Sequence, residues 1–152
     1  MGYCVDKIGG SPIALNKAGY TKLAELLDRV EANSHIGGHI SWCEPLDVLR
    51  REYGPGHELD LVIKVLEDYG FIVHYDGNVA DEVVIEGWGG DKIGSSWDPM
   101  WDAIGDVVDE PVKWLIRGED NEVWVEYCLP GVGRKQVLVD LDELLNKAFI
   151  EI

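Results

Sequence analysis

The spacing of hydrophobic residues in the first half of the chain predicts helices. Apolar residues recur every three or four positions at Leu23, Leu26, Leu27 and Val30. This period predicts a helix over about 17–32, with Asn16 as its N-cap. A brief helix is predicted after Pro45. The same period returns in a helix around 59–66, which Gly70 closes in the C-cap position.

After Gly70 the hydrophobic period changes from that of helices to that of strands. The segments 71–75 and 82–86 are rich in β-branched residues or alternate between apolar and polar residues, as strands do. Because the predicted turn 76–78 separates them, they are expected to form a hairpin. Further strands are predicted at 2–8, 112–117, 122–129 and 136–141, and a terminal helix at 142–149. The chain is therefore expected to form a single α+β domain over residues 1–152. Its expected core is one antiparallel sheet of about five to six strands, with helices packed mainly on one face.

The charge of the chain limits its partners. With 29 acidic and 13 basic residues, the formal net charge is −16. Residues 57–112 contain fourteen acidic residues and only two basic ones, Lys64 and Lys92, so this segment has a net charge of −12. This charge argues against direct binding to nucleic acid or anionic membranes. No apolar run approaches a membrane span and no signal peptide is recognised, so a cytoplasmic protein is expected.

The strongest candidate for a partner-binding surface is the segment 97–110. If it is helical, Trp97, Trp101, Ile104 and Val108 form its buried face. The acidic residues that fall on an adjoining face are Asp98, Asp102, Asp106 and Asp109, followed by Glu110. Carboxylates four residues apart rise by about 6 Å, which resembles the phosphate spacing of a nucleic-acid strand. The predicted partner is a basic protein, such as a nucleic-acid-binding host factor; the alternative is a solvated face on which Asp98 merely caps the helix.

Glycine-rich sequence around Trp88 suggests a second contact. Trp88 lies between Gly87 and Gly89, where a loop is expected to present its ring to a partner. Asp91 follows closely. As an alternative function, Trp88, Trp97 and Asp91 form a pocket that sequesters a small cationic or nucleotide-like ligand.

Metal and catalytic signals are weak. His35, His39 and Cys43 recur at intervals of four but surround two glycines, so no metal site and no cofactor are predicted from them. No nucleophile, P-loop or dinucleotide motif is found, which favours a protein that is not an enzyme. A hydrolase with paired carboxylates is the least favoured alternative. A free sheet edge makes a homodimer plausible.

Three short motifs give the chain a family resemblance. They are the opening Met1-Gly2-Tyr3, the hairpin over 71–86, and the run from Arg117 through Gly118-Glu119-Asp120 to Trp124. In these the chain resembles a group of small acidic proteins encoded by bacteriophages and actinobacteria, which has no assigned activity. The resemblance implies a phage-type inhibitor or regulator that acts on a host protein in the host cytoplasm.

Overall fold

The computed structural model describes residues 3–32, 46–77, 81–89, 92–93 and 97–140. These ranges contain four helices: α1 Lys17–Ala32, α2 Leu46–Tyr53, α3 Glu58–Tyr69 and α4 Trp97–Val107. The strands within them are β1 Tyr3–Gly10, β2 Ile13–Leu15, β3 Phe71–Asp76, β4 Glu82–Trp88, β5 Lys92–Ile93, β6 Val112–Gly118, β7 Val123–Leu129 and β8 Gly133–Val139. The α+β class is thus confirmed. The expected helix at 142–149 lies outside the described residues.

The predicted helix ends are confirmed by their capping contacts. The Asn16 side chain accepts a hydrogen bond from the Gly19 amide at 2.8 Å, as an N-cap of α1 does. Gly70 ends α3 with φ 112°, and its amide donates to the Glu67 carbonyl. Because a left-handed backbone carries no steric penalty only for glycine, Gly70 fixes where α3 stops and β3 starts.

The expectation of a single sheet is wrong, because the strands divide into two antiparallel sheets. The main sheet has the order β5-β1-β6-β7-β8 and the small sheet the order β2-β4-β3. The hairpin β3-β4 pairs with β2, a three-residue strand too short for the hydrophobic pattern to reveal. The chain leaves β1 at Gly10, where φ is 117° and a Cβ atom would lie 2.3 Å from the Lys113 carbonyl. A residue with a side chain does not fit there, so glycine allows the chain to cross from one sheet to the other.

One aromatic cluster joins both sheets and α4 in a common core. The rings of Trp101 on α4 and Trp114 on β6 meet edge to face at 5.1 Å. Phe71 on β3 lies 6.1 Å from each of them. Both tryptophans are fully buried. The core therefore runs unbroken from the small sheet through α4 to the main sheet, and it fixes α4 rigidly.

The helices pack on one another as well as on the sheets, and α2 packs on α1 and α3. α1 contacts β2 and β4 of the small sheet as well as α4, and α3 contacts β3. α4 instead packs on β7 and β8 of the main sheet. No helix in the described part of the chain has the length and apolar character needed to cross a membrane.

Candidate functional site: an acidic surface around α4

The acidic segment is helical over a shorter range than predicted. α4 ends at Val107, so Asp109 and Glu110 lie beyond it, in a bend that leads to β6. The bend is required because Pro111 precedes a strand that begins at Val112. At the other end, Asp98 is the second residue of the helix rather than its cap. Asp98 still favours the helix, since a negative charge in the first turn complements the helix dipole.

Three aspartates form the exposed side of α4, and we call them the acidic ridge. Asp98, Asp102 and Asp106 are exposed. The buried residues of the helix are Met100, Trp101, Ala103, Ile104, Gly105 and Val107. The predicted buried face is confirmed at Trp101, Ile104 and Val108, while the side chain of Trp97 lies outside the described set. Between residues 98 and 107, every position that α4 turns to solvent, apart from the half-buried Pro99, thus carries a carboxylate.

Two arginines from other elements neutralise the ends of the acidic ridge. Arg29 on α1 forms an ion pair with Asp106 at 2.7 Å, with both side chains 42 % exposed. Arg134 on β8 forms an ion pair with Asp98 at 2.9 Å. The ridge therefore carries much less net charge than its sequence indicates. A partner must compete with these arginines for Asp98 and Asp106.

Asp102 lies between the two ion pairs. Partial desolvation raises the pKa of its carboxyl, and the neighbouring carboxylates of Asp98 and Asp106 add to the shift. Arg134 and Arg29 oppose it. A raised pKa means that the fold disfavours the ionised form of Asp102. A cation placed over the middle of the ridge would remove this penalty.

Arg134 is held from below by a buried carboxylate. Glu126 on β7 is 0 % exposed and receives the Arg134 Nε–H at 3.0 Å and Nη2–H at 3.1 Å. Trp124 Nε1 and Gln136 Nε2 also donate to Glu126. The Arg134 side chain is only 11 % exposed. Arg134 therefore cannot swing away from Asp98, and this end of the ridge is rigid.

Beyond the C-terminal end of α4, the surface opens into an acidic cavity of about 330 Å³. Its walls come from the β1-β2 turn, the start of β4 and the bend before β6. Its charged lining residues are Glu82, Asp109 and Glu110. The Asn16 Nδ2 donates a hydrogen bond to the Asp109 carboxylate at 2.8 Å, and this bond orients the carboxylate at the cavity wall.

The acidic cavity differs from the acidic ridge in how its charge is compensated. In the described part of the chain no Lys, Arg or His forms an ion pair with Glu82, Asp109 or Glu110. The cavity lies between the C-terminal end of α4, where the helix dipole is negative, and the N-cap of α1 at Asn16, where the dipole is positive, so the two dipoles oppose each other there. Its size and charge suit a cationic side chain or a small organic cation.

The remaining predicted contacts are not part of this surface or fall outside the described residues. Trp88 is the last residue of β4 rather than part of a loop, and its ring packs edge to face on Phe71 at 5.1 Å. It is half-buried against the core. Asp91, His35, His39 and Cys43 lie outside the described residues. The cavity is lined by carboxylates, small polar side chains, prolines and aliphatic side chains, and not by tryptophan.

Neither metal binding nor thiol chemistry finds support in the described residues. Among them, no three His, Cys, Asp or Glu side chains are grouped closely enough to hold a metal ion. Cys128 is buried, and desolvation followed by the charge of Glu126 raises the pKa of its thiol to about 12. A thiol with such a pKa stays protonated at neutral pH and is a poor nucleophile.

No protein-family model matches the chain, and no curated protein sequence and no solved structure is significantly similar to it. The resemblance to small phage and actinobacterial proteins therefore stays a prediction. Function has to be inferred from the acidic surface itself.

Two side chains that shape this surface, those of Glu82 and Arg134, were not predicted from the sequence. Glu82 reaches the cavity only because β4 pairs with β2, which brings it beside Asp109. Arg134 reaches Asp98 only because α4 packs across β8. One sequence signal pointed to the second group. Glu126 stands two residues from both Trp124 and Cys128, on the apolar face of a strand, where a carboxylate needs a buried partner.

Proposed function

We propose that the protein is a non-enzymatic binding protein that captures a basic partner protein through the acidic surface around α4. The acidic cavity carries the proposal, because Glu82, Asp109 and Glu110 line a concavity without ion-pair partners in the described part of the chain. A Lys or Arg side chain of the partner enters the cavity. The acidic ridge then steers the approach and contacts further basic residues.

The ion pairs of the acidic ridge argue against a surface that acts purely as a nucleic-acid mimic. Two of the three ridge aspartates are already paired with Arg29 and Arg134. A phosphate-like row would need its charges available to the partner. The ridge therefore contributes mainly long-range attraction, which raises the association rate, whereas the cavity confers specificity. A phage-type inhibitor of a host nucleic-acid-binding factor in the host cytoplasm is compatible with this mode.

A small organic cation is the second candidate ligand, because the cavity of about 330 Å³ falls at the lower end of the usual range for small-molecule sites. In this second candidate function, the acidic cavity takes the place of the pocket around Trp88, Trp97 and Asp91 that the sequence suggested for a small ligand. A native mass spectrum of the purified protein separates the two. A bound cation adds its own mass to the chain mass, whereas a protein-binding function leaves the mass unchanged.

The direct test uses a fluorescent peptide of alternating Lys and Ala as probe, titrated at low and moderate salt. We expect the triple variant Glu82→Gln, Asp109→Asn, Glu110→Gln to weaken binding at least about tenfold. The matched control Glu52→Gln, Glu67→Gln, Glu119→Gln removes the same charge from exposed sites away from the cavity lining. We expect its affinity to stay within about twofold of wild type at moderate salt, where distant charges are screened.

Equal losses in the two variants would show that only net charge matters and would overturn the cavity proposal. The wild-type protein and both triple variants also serve as baits for a pull-down from bacterial lysate. A basic protein retained by wild type and by the control, but not by the cavity variant, identifies the partner.

A further inference from the structure

The main sheet has two faces, of which α4 covers one. α4 packs on the side that carries Cys128 and Arg134, which we call the inner face. Successive residues along a strand point to opposite sides, so the neighbours of these residues lie on the other side, the outer face. The apolar residues that the register of β6, β7 and β8 places on the outer face are Leu115, Val123, Val125, Val137 and Val139.

Burial on the outer face increases toward one end of β7 and β8. On β8, Val137 is 47 % exposed, whereas Val139 is half-buried although it lies on the same edge strand. On β7, Val125 is half-buried, whereas Val123, directly opposite Val139, is 6 % exposed. The better-covered end is the one at which the described chain stops, at Asp140. α4 does not supply this cover, because it packs on the inner face.

The neighbouring side chains in the sheet account for only part of the burial of Val123. Its neighbours in the row are Arg117 on β6 and Val139 on β8. Arg117 forms an ion pair with Asp6 of β1 at 3.6 Å, so its guanidinium is directed toward β1, away from β7. The remaining cover has to come from another part of the chain.

The exposure of Leu138 shows on which side of β8 this cover lies. Leu138 stands between Val137 and Val139 and pairs with Trp124, so its side chain points to the inner face. It is 72 % exposed. The inner side of β8 is therefore open at this end, and the cover is confined to the outer side.

The segment 141–152 follows β8 directly and lies outside the described residues. Asp140, with Glu143 three positions later, has the pattern of an N-terminal capping box, which predicts a helix that begins where β8 ends. The apolar residues of the segment fall on one stripe at helical spacing, except Ile150, which falls on the opposite side. The stripe consists of Leu141, Leu144, Leu145, Ala148, Phe149 and Ile152.

We propose that the segment 141–152 folds back as a helix over the outer face of the main sheet, with its apolar stripe on Val123, Val125 and Val139. Twelve helical residues extend about 18 Å. The row of Val125 lies only about 7 Å from the row of Val123 along the strands, so the helix reaches both rows. Val137 remains at the margin of the contact, which agrees with its exposure.

This contact covers apolar side chains in the middle of the sheet that would otherwise face solvent. It also gives the main sheet a helix on each face, α4 on the inner face and the segment 141–152 on the outer face. The acidic surface around α4 lies on the inner-face side and stays accessible. The proposal therefore does not depend on the proposed function.

NMR of the full chain with labelled Leu and Val methyl groups tests the contact directly. We expect nuclear Overhauser cross-peaks from the methyl groups of Leu144 and Leu145 to those of Val123 and Val125, since only neighbouring methyl groups give such peaks. The methyl groups of Leu138, on the inner face, should give no cross-peak to Leu144 or Leu145.

Two substitutions within the segment form a matched pair. Leu145→Asp places a charge in the apolar stripe, whereas Ile150→Asp places the same charge on the opposite side of the predicted helix. We expect Leu145→Asp to abolish the cross-peaks to Val123 and to lower the equilibrium constant of folding at least about tenfold, because a charge is not tolerated in an apolar contact. Ile150→Asp should keep the cross-peaks and change the constant by less than about threefold, as exposed substitutions do.

Urea denaturation gives the folding constants, and the methyl signals of the buried Ile85 and Ile104 verify that each variant is folded. If Leu145→Asp does not fold, Leu145→Ala replaces it, with Ile150→Ala as its control. Equal losses in the two variants of a pair would overturn the proposal. An unchanged environment of Val123 in the Leu145 variant would also overturn it, since the turn between β6 and β7 would then supply the cover. Cross-peaks found only between differently labelled copies would do the same, because the segment would then cover a second molecule.

Discussion

At the scale of single residues, Asp81 shows how one carboxylate can tie separate elements together. It has φ 49°, an uncommon conformation for a residue other than glycine. Its carboxylate accepts hydrogen bonds from Tyr20 on α1 at 2.9 Å and from Tyr75 on β3 at 2.5 Å. These two bonds lower the pKa of Asp81. They also fix the chain just before Glu82 enters the wall of the acidic cavity.

The titration of Tyr20 predicts a loss of stability in alkali. Burial, followed by the hydrogen bond to Asp81, raises the pKa of Tyr20 from 10.0 to about 12. The unfolded chain therefore loses this proton before the folded chain does. Stability from this group is complete below pH 10 and is lost as the pH rises toward 12. Thermal unfolding followed from pH 8 to pH 11.5 should show this decline, and Tyr20→Phe should flatten it. An unchanged pH slope in the variant would contradict the assignment.

Arg134 supports a prediction about stability, because it neutralises the buried Glu126. Arg134→Met leaves that carboxylate buried without its cation, and we expect a loss of about 3 kcal/mol in the free energy of unfolding. Urea denaturation measures the loss.

Two further variants control this result. Arg29→Met breaks an exposed ion pair and should cost less than about 1 kcal/mol. The double variant Arg134→Met, Glu126→Leu should recover part of the loss, since neither charge is then left buried. Similar losses in the Arg29 and Arg134 single variants would show that Glu126 is not the deciding partner.

At the scale of elements, α4 makes the charge of its ridge compatible with folding. Its three exposed aspartates repel one another at i, i+4 spacing, which costs a few tenths of a kcal/mol for each pair. Arg29 and Arg134 form ion pairs with the aspartates at the two ends, whereas Asp102 in the middle feels both arginines only at longer range. Position along the helix therefore decides whether an aspartate helps or opposes folding.

Asp102 and Asp106 are expected to respond oppositely to neutralisation. The pKa of Asp102 is raised, mainly by desolvation, so its ionised form opposes folding at pH 7 and the penalty fades as the pH falls through that pKa. Asp102→Asn should therefore increase stability by a few tenths of a kcal/mol at pH 7. Asp106→Asn should decrease it by less than about 1 kcal/mol, because the pair with Arg29 is lost. Urea denaturation of both variants at pH 7 and pH 4 tests the contrast, which should shrink in acid.

At the scale of the whole molecule, the net charge of −16 opposes compaction. Some of the carboxylates lie around α4, whereas Lys113 and Lys135 lie on the side of the main sheet opposite to α4.

Overall repulsion predicts that salt stabilises the fold. Raising NaCl from about 0.01 M to 0.3 M shortens the Debye length from about 30 Å to roughly 6 Å and screens repulsion between distant carboxylates. We expect the melting temperature to rise by several degrees. KCl should act equally, because the effect depends on ionic strength. A melting temperature that falls with salt would show that the ion pairs outweigh the net repulsion.

Local features of the sequence were enough to predict most elements. The helices α1, α2 and α3, the hairpin β3-β4 and the strands β6 and β7 follow from hydrophobic period, caps and turns, which act between residues close in the chain. The predicted 136–141 strand was displaced along the chain, since β8 runs from Gly133 to Val139. Its register is set by β7 and not by its own pattern.

What the sequence determined by itself was the class of fold, the charge and the row of aspartates at helical spacing. The tertiary structure alone decided which strands share a sheet, because the three-residue β2 becomes a strand only by pairing with β4. It also decided which carboxylates remain available. Asp98 and Asp106 are neutralised by arginines 36 and 77 residues away in the chain, whereas Glu82 and Asp109 meet at one cavity. Charge is a property of composition, but its compensation depends on contacts between distant segments, and these exist only in the folded chain.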